Sequence, residues 1–369
     1  MLYKRMIMEV EAPEQIGYDL VKFNLAESSM SDRIFGDLGI DLSNVVLLYG
    51  DHRGSPELRE AIAADGNGAL EIDDILVSMG AAGALFTVAT ALLGAGDHAI
   101  VAHPNYASNF ETPRAIGAHI DYLRLSFDKR WQVDPERIAD MIRPETKLVS
   151  LTSPHNPTGT EIPPAVIERI IAIVESSNAN LLLDETYREL APEIRAPWAS
   201  VSSRVISVSS LSKTYGMPGI RVGWVINTDP DLMISLLAGK EQIALGGSVI
   251  DEEIALQVLR QRETLLPEAR SHAAGGFAIA KEWMANEPML EWIEPTAGVT
   301  GFPRMVEGAG IDPARFHKNL FEETGTLVGP GHWFEQDPRH MRIGFGYPTQ
   351  GDLKLGLENI SRALRSSLL

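Results

Sequence analysis

The chain has 369 residues, 44% of them hydrophobic, no cysteine, and a formal charge of −18 from 32 Lys+Arg against 50 Asp+Glu. That length and apolar content suit one large domain plus a smaller one, and the missing cysteines exclude disulfides, thiolate catalysis and Cys-ligated metal. The acidic balance, with no basic cluster to offset it, argues against nucleic acid and anionic membranes as partners and leaves open the attraction of a cationic substrate.

The opening stretch, MLYKRMIMEVEAPEQ, reads as neither a signal peptide nor a membrane span, so a cytoplasmic protein is expected. Nothing in the stretch decides between packing on the rest of the chain and staying mobile. Ser55–Ala64 reads as a capped helix, with Ser55 as N-cap and Pro56 at the first position. From about residue 72 to 226 short apolar runs recur: DILVSMG, HAIVAHP, KLVSLTSP, NLLLDETY, RVISVSSLS and RVGWVIN. Helix-like stretches, such as Gly83–Leu93 and Pro164–Ser176, lie between several of them. This alternation predicts an α/β layer structure of buried parallel strands, with ligands outside their carboxyl ends. Gly80, Pro104, Asn156, Asp184 and Ser210 fall at those ends. Beyond about 250 the pattern changes to a long helix over about Glu252–Asn286, then GVTGFPRM, a helix near Pro313–Glu323, HMRIGFGY, and a closing helix from about Gly351. Mixed elements of this kind predict a second, smaller α+β domain, against which the N-terminal segment packs. The expected division is 46–255 for the large domain, and 1–45 with 256–369 for the small one.

The stretch SSLSKTYGMPGIRVGW carries the chemistry most openly. Ser209, Ser210, Ser212, Thr214 and Arg221 can donate to an anion, and Lys213 stands among them. An amine that attacks carbonyls must be partly neutral at pH 7, which burial and nearby cations favour. A lysine beside a phosphate site is what a pyridoxal phosphate imine requires. That cofactor also needs a buried carboxylate to keep its ring nitrogen protonated, and Asp184 follows an apolar run directly; alone, Asp184 equally reads as a helix N-cap. Tyr187 and Asn156 could reach the ring's phenolic oxygen, although NPTG is also an ordinary turn signal. The small-residue turn SMGAAGALF opens a helix whose first N–H groups, at Gly80, Ala81 and Ala82, could hold a phosphate. The histidines, His103 and His155 among them, show no metal-ligand spacing, and no metal is expected. There is neither a GxSxG elbow nor a P-loop.

Taken together, YGDHRG…LRE, SMGAAGAL, HPNYASN, SPHNPTG, LLLDETY, SSLSKTYGMPGIRVGW and HMRIGFG resemble the fold-type I, class I/II aminotransferases, from about residue 45 to 350. The resemblance implies a large domain with a mostly parallel sheet covered by helices, plus a smaller α+β domain, and pyridoxal 5'-phosphate as cofactor. It implies that Lys213 forms the imine with the cofactor and moves a proton. Asp184 becomes the ring-nitrogen partner, and Asn156 and Tyr187 bond the 3-hydroxyl. Ser210 and Arg221 bind phosphate together with backbone donors of Ala81 and Ala82, and Tyr106 stacks on the ring. Arg342 clamps the substrate's α-carboxylate. Tyr49, with Ser248 in a looser alignment, reaches the neighbouring subunit's site, so a homodimer with shared active sites is implied.

Two departures bear on the substrate. Where the family commonly has a glycine over the substrate, FNLAESSMSDRIF places Ala26 or Glu27, and Glu27 reads either as a residue facing the substrate's side chain or as a cap or surface acid. The second cation that dicarboxylic substrates require has no counterpart at Ala82 or in IALGGSVIDEE. The expected activity is therefore transamination of a neutral or basic L-amino acid to its 2-oxo acid. AGVTGFPRM, TLVGPGHWF and MRIGFGYP are similar to the capreomycidine synthase branch, which implies a lyase, cyclase or arginine-modifying enzyme as the alternative. In that comparison Arg304 is either part of the similarity or a packing charge. A non-catalytic regulator on the same fold is disfavoured, because Lys213 and Asp184 are both present and no basic extension is seen.

Overall fold

The computed structural model describes residues 1–369. Two short helices, α1 (Ile7–Val10) and α2 (Pro13–Ile16), open the chain. After α3 (Pro56–Ala63) comes the central unit: β1 (Ile75–Met79), α4 (Gly80–Leu92), β2 (His98–His103), α5 (Ser108–Ile116), β3 (His119–Arg124), α6 (Pro135–Met141), β4 (Thr146–Thr152), α7 (Pro164–Glu175), β5 (Asn180–Asp184), β6 (Val205–Ser210) and β7 (Val222–Ile226). Helices α8 (Pro230–Ile243), α9 (Val249–Arg260), α10 (Arg262–Ala285), α11 (Pro313–Thr324) and α12 (Gln350–Ser366) follow. Ser55 caps α3 as expected, its hydroxyl accepting from Leu58 N at 3.2 Å.

The seven strands form one sheet in the order β1-β7-β6-β5-β4-β2-β3. Its strands are apolar without interruption because both faces are covered. Ile100, Val149, Leu181 and Leu183 face a core with α3, α7 and α9, while Ala99, Val101, Leu148 and Leu182 face α4, α5 and α8. The sheet is mostly parallel, as expected, and the exception is β7, which runs antiparallel to both neighbours. The reason is the short connection Leu211–Arg221, which leaves no room for a crossover helix, so the chain turns straight back. That reversal brings the start of β7 to the edge where the other strands end, and Arg221 arrives beside Met79 and Ser210.

The long helix expected over Glu252–Asn286 is two helices, α9 and α10, broken at Gln261. A separate core gathers α10, α11 and α12 around the strand Met341–Gly344, with Phe316, Leu320, Phe345, Leu357 and Ile360 inside. The segment Phe23–Ser31 threads between this core and the sheet. Leu25 N donates to Leu327 O at 2.9 Å, Gly344 N to Leu25 O at 2.7 Å, and Met30 N to Lys213 O at 2.9 Å. Gly344 makes the passage possible, since a Cβ there would lie 1.8 Å from Glu27 O. No helix is long and apolar enough to cross a membrane.

Candidate active site

The carboxyl ends of β1, β2, β4, β5 and β6 and the start of β7 surround one cavity of about 370 Å³. Ala81, Ala82, Tyr106, Asn156, Asp184, Tyr187, Ser210, Lys213 and Arg221 line it from the sheet side. Ala26, Glu27 and Arg342 line it from the threaded segment and the second core.

At one end, α4 begins at Gly80 with its first turn facing the cavity. Gly80 has φ +69°, and a Cβ on it would lie 2.5 Å from Arg221 Nη2, so only glycine lets the guanidinium lie against the turn. Gly80 thus sits behind the wall rather than in it. Arg221 Nη1 donates to Pro218 O at 2.7 Å, and Ser210 Oγ accepts from Ser212 N at 3.3 Å. A helix N-terminus, a guanidinium and two serines at one end make a donor set suited to a phosphate.

At the floor, Asp184 is buried without any cation at ion-pair distance. It accepts from Thr186 N at 3.1 Å and Thr186 Oγ1 at 2.6 Å, and the single 3-10 turn that follows, Arg188–Leu190, has Tyr187 rather than Asp184 at its N-cap. Burial raises its carboxyl above the ordinary range, against the hydrogen bonds from Thr186 and Asn109 and the charge of Lys213. A buried carboxylate in this state favours a cationic N–H from a ligand ring. Lys213 Nζ lies 3.1 Å from Ser28 Oγ. Burial lowers its amine, Glu27 pulls it back up, and Arg342 and Arg221 push it down again. Tyr187 donates to Ser28 O at 2.8 Å, and Asn156 Oδ1 accepts from Arg342 Nη1 at 2.9 Å.

Arg342 is 5% exposed and has no carboxylate partner in the chain. Its Nη2 donates to Ala26 O at 2.5 Å, while its Nε has no partner at all. Tyr106 sits on a loop held by a chain of buried side chains. Asn105 Oδ1 accepts from Thr152 Oγ1 at 2.8 Å, and His155 bridges Pro104 O (2.9 Å) and Thr158 Oγ1 (2.8 Å). Because a carbonyl only accepts, His155 carries its proton on Nε2 and takes one from Thr158 at Nδ1. His155 is therefore a brace for the loop.

Some residues stand apart. Tyr49 is 87% exposed beside Val46, Leu47 and Leu48 and does not reach this chain's cavity. Ser248 caps α9, its Oγ accepting from Asp251 N at 3.3 Å. Arg304 bonds Glu291 at 2.8 Å and lies 3.8 Å over the Phe127 ring, the packing role weighed for it. Conversely, Ser28, Thr186, Trp333 and the N-terminal residues Met8, Glu9, Ala12, Pro13, Glu14 and Tyr18 line the cavity without having been singled out. The first turn of α2 was legible from Pro13, a first-position proline. Its place across the cavity was not. That place is fixed by Glu11, whose Oε2 accepts from Trp333 Nε1 and meets His332 Nε2, both at 2.7 Å.

A phosphate end, an unpaired acid on the floor and a half-buried amine between them fit pyridoxal phosphate, on a sheet of the matching architecture. The molecule is an enzyme of the fold-type I pyridoxal phosphate-dependent class. More narrowly, the chain belongs to the class I and II aminotransferases, whose family profile matches residues 30–360. It is 30% identical over 363 residues to a capreomycidine synthase of Streptomyces vinaceus, covering 94% of this chain and 91% of that one. It is 28% identical over 330 residues to an arginine–pyruvate transaminase of Pseudomonas aeruginosa, covering 86% of this chain and 80% of that one. Among solved structures, a PLP-dependent aminotransferase from Streptococcus suis superposes with a TM-score of 0.91 at 29% identity, over 100% of this chain and 99% of that one.

Proposed function

We propose that the protein transaminates a neutral or basic L-amino acid to its 2-oxo acid, as a homodimer with shared active sites. The observation that carries the substrate choice is the set of cations in the cavity wall: Lys213, Arg221 and Arg342, and no other. Arg221 belongs to the phosphate end and Lys213 to the reacting carbonyl, which leaves Arg342 alone for a substrate carboxylate and nothing for a second one.

Pyridoxal phosphate supplies an aldehyde for the substrate amine and a ring that accepts the electron pair freed at the α-carbon. The protein does the rest. Arg342, desolvated and pre-oriented by Asn156 and Ala26 O, clamps the α-carboxylate through its guanidinium. Ser210, Arg221 and the N–H groups of Ala81 and Ala82, set by the turn at Gly80, hold the phosphate. Asp184 would keep a proton on the ring nitrogen, Tyr187 and Asn156 would bond the phenolic oxygen, and Tyr106 would pack on the ring. Lys213 is the amine that would hold the cofactor's aldehyde and, when free, would accept the proton from the substrate's α-carbon. The partner subunit's Tyr49 completes the phosphate end, in line with the exposed apolar stretch Val46–Tyr49. The large unit, 46–255, supplies the cofactor floor, and 1–45 with 256–369 supplies the substrate side.

A second reading draws on the similarity to a capreomycidine synthase: a lyase or cyclase that would eliminate and replace a group at the substrate's β-carbon. A donor panel separates the two. Transamination is supported when single-turnover mixing with at least one proteinogenic amino acid yields its 2-oxo acid and the amine form of the cofactor, and when Lys213→Ala yields neither. No 2-oxo acid from any donor, with elimination products from a β-hydroxylated one, would replace this reading by the second.

A further inference from the structure

The cavity has two ends of opposite sign. Deep inside, Arg342 is a buried guanidinium with no carboxylate partner and an unpartnered Nε. A cation left so calls for an anionic ligand group. At the mouth, Glu14, Glu27 and Asp32 line the wall, and none of them meets an arginine, lysine or histidine within the chain, whereas Glu11 nearby is tied to His332. All three share that wall with Tyr18. The Tyr18 hydroxyl is pushed up to about 12, by burial first and then by Glu27, Glu14 and Asp32. Tyr347 donates to Asp32 at 3.0 Å and also feels Glu27. Glu27 and Glu14 both act on the Lys213 amine inside. Like charges set around one partly desolvated mouth repel each other and lower the potential there, which a cation relieves.

We propose that Glu14, Glu27 and Asp32 form a side-chain subsite selecting L-amino acids that end in a cation. With the α-carboxylate on Arg342 and the amine at Lys213, the side chain runs out toward α2. Met8, Tyr18 and Trp333 supply apolar wall for its methylene stem, and the three acids take up its charge. This inference rests on reading the cavity as an amino acid site. It adds that the strap α1–α2, pinned through Glu11, sets specificity rather than merely covering the site.

The test compares L-arginine with L-citrulline, alike in shape and different in charge. Calorimetry on the cofactor-loaded Lys213→Ala protein reads binding without turnover, and kcat/KM on the wild-type holoenzyme gives the second measure. Arginine is expected to bind about tenfold tighter or more, equivalent to about 1.4 kcal/mol. The ratio should fall as salt shortens the Debye length from about 30 Å to about 8 Å. Adding Glu14→Gln and Glu27→Gln should bring it close to one. Equal binding of the two ligands, or a preference untouched by the two substitutions, overturns the subsite. If both are converted to 2-oxo acids without preference, the subsite fails and transamination stands. If arginine binds preferentially and no donor gives a 2-oxo acid, transamination fails and the subsite stands.

Discussion

Gly223→Ala is the substitution that most directly couples the fold to the phosphate end of the site. Gly223 lies in β7, paired with Ser78 on one side and Ser210 on the other. A Cβ there would stand 2.5 Å from the carbonyl carbon of Gly80, 2.7 Å from Ala81 N and 2.8 Å from Ser209 O. Carbon atoms rest about 3.5 Å apart, so the first turn of α4 must retreat by about 1 Å. All three obstacles are backbone, so no flexible side chain can absorb the shift. The overpacking should cost about 1–3 kcal/mol, read as a Tm lowered by several degrees in the apoprotein. The retreat also misaligns the Ala81 N–H. A hydrogen bond to a charged group is worth about 1.5–3 kcal/mol, so cofactor affinity should drop roughly ten- to hundredfold. Fluorescence titration of apoprotein with pyridoxal phosphate measures this directly. Gly239→Ala serves as the control. Gly239 lies within α8, a Cβ on it would meet nothing nearer than Thr87 and Ala91 of α4, at 3.9 and 4.0 Å, and losing a mid-helix glycine should stabilise slightly. A Gly223→Ala protein with lowered Tm but cofactor affinity within twofold of wild type would remove the first turn of α4 from the phosphate site.

Other perturbations read other parts of the molecule. Burial raises the Asp184 carboxyl, so its contribution to folding is present at low pH and lost as pH rises through its folded value. Asp184→Asn should therefore raise the apoprotein Tm at pH 8 while lowering turnover on the order of 10²-fold or more; near-normal turnover would dismiss its role at the ring nitrogen. His155 and His340, 4% and 5% exposed, are both pushed down to about 4 by burial. A lowered histidine contributes fully above its unfolded value of about 6.5 and loses that contribution as pH falls toward 4. At pH 5 the loss is about 2 kcal/mol for each. Thermal scans across that window should show the decline, with a shallower slope in His340→Phe, and a flat profile would contradict it. Mixing Lys213→Ala with Tyr49→Phe protein should restore activity through heterodimers carrying one intact site each, and no recovery would argue against sites shared between subunits.

Much of the sheet was legible because strands covered on both faces are unbroken apolar runs, and the residues with chemistry stand where those runs stop. Asp184 after LLL and Ser210 after VISVS are examples. The edge strand β3, HIDYLR, lacks that signature because it has a strand neighbour on one side only and just Leu123 is fully buried, and it passed unnoticed. The break at Gln261 carries neither glycine nor proline, while Pro267 lies inside an unbroken α10. The direction of β7 is invisible in its residues and follows only from the length of the connection before it. Hardest to read was the outer wall of the site. Glu11 meets Trp333, and Ala26 meets Arg342, across more than three hundred residues, and no local pattern in the chain announces a pairing at that distance.

The same separation gives the strap a place in time as well as in space. The strap from Ile7 to Tyr18 precedes its anchors, His332 and Trp333, by more than three hundred residues in the chain. On a growing chain the strap lacks these anchors until residues 332 and 333 have emerged, and loop closure over such a length is slow compared with local pairing. The sheet and its phosphate turn can therefore form first, with their mouth still open. The strap can dock only once His332 and Trp333 are in place, so a chain stopped short of them would lack the anchors that hold α2 across the cavity.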